Sequence, residues 1–156
     1  MNSKLAAFAI GRRSIAIALF SGQEMECFEV RSIPNDEEKA KAAAAAFVRR
    51  TLEHLHFPTA AVQGGKLDTS RKEHFRNVIC DTLREHGVPV LEANEKQLFD
   101  AFRNPPIARR GDFRKIASAI FPQLLNSRSN HPLSDAVGLG LYLQTERILK
   151  INNHNE

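Results

Sequence analysis

The sequence predicts an α/β domain built on a five-stranded mixed sheet with helices on both faces. Three observations carry that prediction. The stretch from Lys4 to Phe20, KLAAFAIGRRSIAIALF, reads as two apolar strands joined by a short basic turn, and a third β-type segment comes directly after it. Two further short apolar runs, Thr59 to Val62 and Val88 to Leu91, each come after a long helical pattern. Strands joined by tight turns pair antiparallel, whereas strand–helix–strand units run parallel, so the sheet is mixed.

Leu5 to Ile10 is the continuous apolar run of a strand covered on both faces. Gly11 ends it, and Arg12 and Arg13 put charge in the turn. In the second strand Ile15, Ile17 and Leu19 alternate with Ser14, Ala16 and Ala18, and no carboxylate occurs between Leu5 and Phe20. Ser21, Gly22 and Gln23 form the next turn. Glu24 to Ile33 is a third strand whose Glu24, Glu26 and Glu29 mark a solvated edge.

Pro34 stops that strand, and Asn35 or Asp36 can cap a helix reaching about His56, with Glu37 and Glu38 well suited to its first turn. Ala40 and Ala42 to Ala46 let this helix lie close to a neighbour, with Phe47, Leu52 and Leu55 as its larger contacts. Beyond Thr59–Val62 and the Gly64-Gly65 loop, Ser70 is the expected cap of a second helix, about Arg71 to His86, with Gly87 as its stop. Val88–Leu91 is the fifth strand. Helices are expected over Asn94–Phe102, Asp112–Leu125 and Pro132–Lys150.

Composition sets the outer bounds. A chain of 156 residues, 42% apolar and 26% charged, suits one domain spanning 1–156. No apolar run approaches the roughly 20 residues of a bilayer span. Arg12 and Arg13 interrupt the apolar N-terminal stretch, which argues against a signal peptide and makes a cytoplasmic location the expectation. Cys27 and Cys80 have neither zinc-site spacing nor disulfide density and read as buried free thiols. The histidines hold no metal spacing, Gly64-Gly65 lacks the ending of a phosphate loop, and no serine or cysteine nucleophile is nameable.

The net charge of +4 permits a polyanionic partner, and one segment concentrates it. Arg103, Arg109, Arg110, Arg114 and Lys115 stand against the single acid Asp112, with Pro105, Pro106 and Gly111 keeping part of the segment non-helical. Such a segment can follow a phosphate backbone, because guanidinium forks suit phosphate and each neutralised phosphate releases counterions. Its bland rival is a solvated face.

The element order, the phrase AFAIGRRSIAIALF and the closing HPLSDAVGLGLYLQTER together resemble the RuvC-like Holliday-junction resolvases of the ribonuclease H-like superfamily. The resemblance implies that three-layer fold. It also implies an aspartate in an Asp-x-Gly pattern on the first strand, a glutamate ending the fourth, and acids at the start of the last helix. Those carboxylates would hold two divalent metals for phosphodiester cleavage. Here Ala9, Ile10 and Gly11 occupy the Asp-x-Gly place, Gln63 or a nearby glycine stands for the glutamate, and only Asp135 keeps an acid. A further family acid gives way to His131 or Ser134.

One carboxylate and a neutral amide make a poor site for a pair of hard divalent ions. Asp135 is therefore the sole catalytic or metal-binding candidate from the pattern, with Glu92, Asp68 and Asp112 as recruits, and its plainer role is to complement the helix dipole. Gly138 and Gly140 read as residues that let the last helix approach the sheet. The expectation is a degenerate nuclease-fold protein that binds branched nucleic acid, DNA before RNA, through Arg12, Arg13, Arg103, Arg109, Arg110, Arg114 and Lys115. It would need no cofactor, with Mg²⁺ or Mn²⁺ required only if cleavage survives, and it could form a homodimer like its relatives. The alternatives are a protein-interaction scaffold using the vacated cleft and an active endonuclease with substitute carboxylates.

Overall fold

The structure, a computed structural model, describes residues 4–22, 24–67, 69–94 and 135–144. In chain order these form β1 (Lys4–Ile10), β2 (Ser14–Ser21), β3 (Glu24–Ser32), α1 (Glu37–His54), β4 (Thr59–Gln63), α2 (Ser70–Glu85) and β5 (Val90–Ala93). Residues 135–144 are helical. The sheet order is β3-β2-β1-β4-β5. β1 pairs antiparallel with β2 and parallel with β4, so the sheet is mixed as the connections require.

The two faces differ in side-chain size. Ala7, Ala9, Ala16, Ala18 and Ala61 point to the side that packs on Ala136, Val137 and Leu139 of the 135–144 helix. Phe8, Ile15, Ile17, Leu19 and Val62 point to the other side, against α1 and α2. The small face lets the helix approach closely. At Gly140 a β-carbon would overlap the ring edge of the fully buried Phe20.

α1 buries Ala40, Ala44, Phe47, Val48 and Thr51, an i, i+4, i+7 stripe. Its first turn is capped by Asp36, whose carboxylate accepts from the Lys39 amide at 2.9 Å. Arg71 ties α2 to the loop ahead of α1, donating to the carbonyls of Pro34 and Asn35 at 3.0 Å each.

Three expectations shift. Thr69, not Ser70, caps α2, its hydroxyl accepting from the Lys72 amide at 3.2 Å. The fifth strand is Val90–Ala93 rather than Val88–Leu91, because Val88 belongs to the end of α2. There Gly87, at φ +74°, and Val88 donate to the carbonyls of Arg84 and Leu83, closing the helix with a Schellman motif. Finally, Cys80 is buried but Cys27 is exposed, because β3 is the outer strand of the sheet. Among the described residues no helix is long and apolar enough to cross a membrane.

Candidate functional site

β1 and β4 run in the same direction, so their carboxyl ends stand side by side. Strand ends of this kind are where α/β sheets present side chains to ligands. Ala9 is buried there, four per cent exposed. Gln63 follows Ala61 and Val62, and strand alternation puts its Cβ on the Ala61 face, which is also Ala9's. Asp135 begins the described part of the helix that covers this face, directly before Ala136 of the same cluster. The three positions singled out in the sequence therefore share one face. Arg12 and Arg13 are exposed in the bend that follows β1, at the same end of the sheet.

Two cations that sequence reasoning passed over complete this end. Phe8, Ala9 and Ile10 of β1, Val62 and Gln63 of β4, and Lys72 and Arg76 of α2 line a small cavity with Leu67 and Ile79. The Arg76 Nη1 donates to the carbonyl of Gln63 at 3.4 Å and to that of Gly65. Lys72 and Arg76 are one helical turn apart, so their shared face was readable from spacing. That this face meets the strand ends was not.

Glu92 takes a different side. Leu91 and Ala93 pack with the small-residue face and Val90 with the other, so alternation sends Glu92 toward α2 rather than toward Ala9. Its carboxylate flanks Gly64, where a β-carbon would stand 3.2 Å from Oε2.

No family model and no curated protein matches the chain. Solved structures do. Thermus thermophilus RuvC aligns over 93% of this chain and 96% of its own, with a TM-score of 0.74 and 15% identity. A Fowlpox virus resolvase in complex with Holliday junction DNA aligns over 91% and 99%, with a TM-score of 0.64 and 11% identity. The yeast mitochondrial Holliday junction resolvase aligns over 96% and 82%, with a TM-score of 0.66 and 10% identity. The chain has the RuvC-like fold.

In a RuvC-like fold the resemblance implies a pair of divalent ions at these strand ends, and the described donors do not fit them. Ala9 offers a methyl group, Gln63 a neutral amide and Asp135 one carboxylate, while Lys72 and Arg76 bring positive charge to the β1 and β4 ends. Among the described residues no group of three or more His, Cys, Asp or Glu is placed to hold a metal. Arg103, Arg109, Arg110, Arg114 and Lys115 lie outside the described residues, as do Asp68, Asp112, His131 and Ser134.

Proposed function

We propose that this RuvC-like chain is a catalytically degenerate member of the nuclease fold that binds branched or structured nucleic acid, DNA before RNA, without cleaving it. The observation that carries the reading is the make-up of the β1 and β4 carboxyl ends: Ala9, Gln63, Lys72 and Arg76 line one cavity, and its described lining residues include no carboxylate. Exchanging acids for the neutral Ala9 and Gln63 removes metal ligands, and the same exchange removes repulsion toward phosphate. Arg12 and Arg13 add exposed charge at that end, and Arg103, Arg109, Arg110, Arg114 and Lys115 are the backbone contacts offered by the basic segment. Resolvases of this fold have been captured on Holliday junctions, which makes a four-way junction the first ligand to try.

The test reads binding and cleavage from the same samples of purified protein with labelled four-way junction, duplex and single strands of DNA and RNA, with and without Mg²⁺ or Mn²⁺. The expected result is salt-sensitive junction binding with no cleavage. Cleavage abolished by Asp135→Asn would overturn the degenerate reading, and absence of any binding would shift the assignment to a protein-interaction scaffold.

A further inference from the structure

β3 is the outer strand of the sheet, and among the described residues its one strand neighbour is β2. A strand so placed turns every second N–H and C=O away from that neighbour, which makes it a template for one more strand. A bulge interrupts the ladder near its start: Phe20 faces Met25 and Leu19 faces Cys27, so Glu26 is the extra residue. Beyond the bulge, residues 27–32 run in unbroken register with residues 14–19. A regular length of edge follows the distorted one.

A groove of about 280 Å³ lies beside this edge, between β3 and the end of α1. The buried Ile17 and Leu19 form its floor with Leu55, and Cys27, Glu29 and His54 stand around it. A cavity of about 150 Å³ already accepts a benzene ring, so an aromatic side chain fits. Alternation puts Cys27, Glu29 and Arg31 on the α1 side of β3, paired with Leu19, Ile17 and Ile15. A strand added to β3 sends every second side chain to that same side, and its middle one enters the groove.

Charge sets the pattern of such a strand. The exposed Glu24 and Glu26 stand at the bulged end of β3, and the exposed Arg31 stands near the other. Arg31 reaches Glu29 through Nε, at 2.8 Å, and a guanidinium has a further pair of nitrogens for a second carboxylate. Charges on an edge keep it from pairing indiscriminately, and by the same repulsion they select a strand that complements them.

We infer that the β3 edge and the groove beside it dock an extended segment of a partner protein by strand addition. That segment carries a cationic side chain at the Glu24 end, an aromatic one in the groove and an acidic one at Arg31. β2 separates this site from β1, and the inference does not depend on the nucleic-acid reading above.

The probes are two synthetic peptides, Thr-Lys-Thr-Phe-Thr-Asp-Thr and its reverse, which cover parallel and antiparallel addition. Each is titrated into the full chain, with backbone amides followed by NMR and Cys27 alkylation by iodoacetamide followed by mass spectrometry. One of the two is expected to shift the amides of residues 27–32 and to slow alkylation of Cys27. Serine in place of its phenylalanine weakens binding about tenfold or more. Glu24→Lys/Glu26→Lys in the protein weakens it a few-fold. N-methylating one alternate set of the peptide's amides abolishes binding, while methylating the other set spares it, because only one set faces β3. No shift with either peptide at millimolar concentration rejects the site. Binding that leaves Cys27 alkylation unchanged, or that survives both sets of methylation, rejects it as well. Protection of Cys27 that grows with protein concentration before any peptide is added puts a second copy of the chain on β3 and overturns the partner segment.

Discussion

Gly140 lies directly against the ring edge of Phe20: a β-carbon at position 140 would stand 3.1 Å from Cζ and closer still to Cε2 and Cδ2. Phe20 is fully buried, so its ring has nowhere to retreat. In an exposed helix, glycine to alanine gains about 1 kcal/mol from propensity. Here the steric term outweighs it, because overpacking a filled core costs about 1–3 kcal/mol. Gly140→Ala is therefore expected to lower the urea midpoint of unfolding. A midpoint that is unchanged or higher would show that the helix and Phe20 can separate at little cost.

Thr69 and Ser70 separate by the same kind of measurement. The Thr69 hydroxyl accepts from the Lys72 amide. Thr69→Ala is expected to lose about 1 kcal/mol of stability, whereas Ser70→Ala, inside the first turn, changes it by less than half of that. Equal losses would mean that the cap moves between the two residues.

Glu29 on β3 accepts from Arg50 of α1 at 2.7 Å and from Arg31 at 2.8 Å. Burial alone would raise its pKa, but the Arg31 hydrogen bond and the nearby charges of Arg50 and Arg31 outweigh burial and hold the carboxyl below its ordinary value. By linkage, a depressed folded-state pKa stabilises above the unfolded pKa, and that contribution is lost as pH falls through the folded value. Because the carboxylate is largely solvated, the contribution is below about 1 kcal/mol. Glu29→Gln is expected to be less stable than wild type at pH 7. In urea titrations the gap closes as acid protonates Glu29, and a gap that persisted in acid would assign the loss to packing instead.

Cys27 and Cys80 differ in access. Native protein is expected to expose one thiol to an aromatic disulfide reagent and denatured protein two. Cys27 reacts more slowly near pH 8 than a free model thiol, because desolvation and then the Glu26 carboxylate raise its pKa. Two fast native thiols would contradict the buried position of Cys80.

Much of the fold was legible because local chemistry and tertiary placement agree. Gly11 and the arginine turn end β1 where the apolar run stops, and Asp36 caps α1. The glutamates of the third strand announced the edge that β3 forms, and the same logic extends to Cys27, which lies on that edge and is exposed rather than buried. The fifth strand slipped by two residues because Val88 is apolar in either role, and only the bond to Leu83 assigns it to the helix end. Ala9, Gln63 and Asp135 came from a family pattern, and alternation on the strands explains why they share a face. Lys72 and Arg76 escaped notice for a physical reason. A cation pair on a helix has no meaning until the strand end it meets is known, and β1 and β4 meet only through long-range pairing.

The middle strand also divides the chain in time. β1 reaches β2 across the short turn at Gly11–Arg13, whereas β4 can join only after α1 has been traversed. Closing the longer loop carries the larger entropic penalty, so the β1–β2–β3 meander is expected to form first, with β4, α2 and β5 docking onto it. Conservative truncation within the meander, such as Ile17→Val, is therefore expected to slow refolding, while Ile79→Val on α2 chiefly accelerates unfolding. Lys72 and Arg76 of α2 meet the ends of β1 and β4 only in the later of these two stages, so the cavity they line together belongs to the completed sheet.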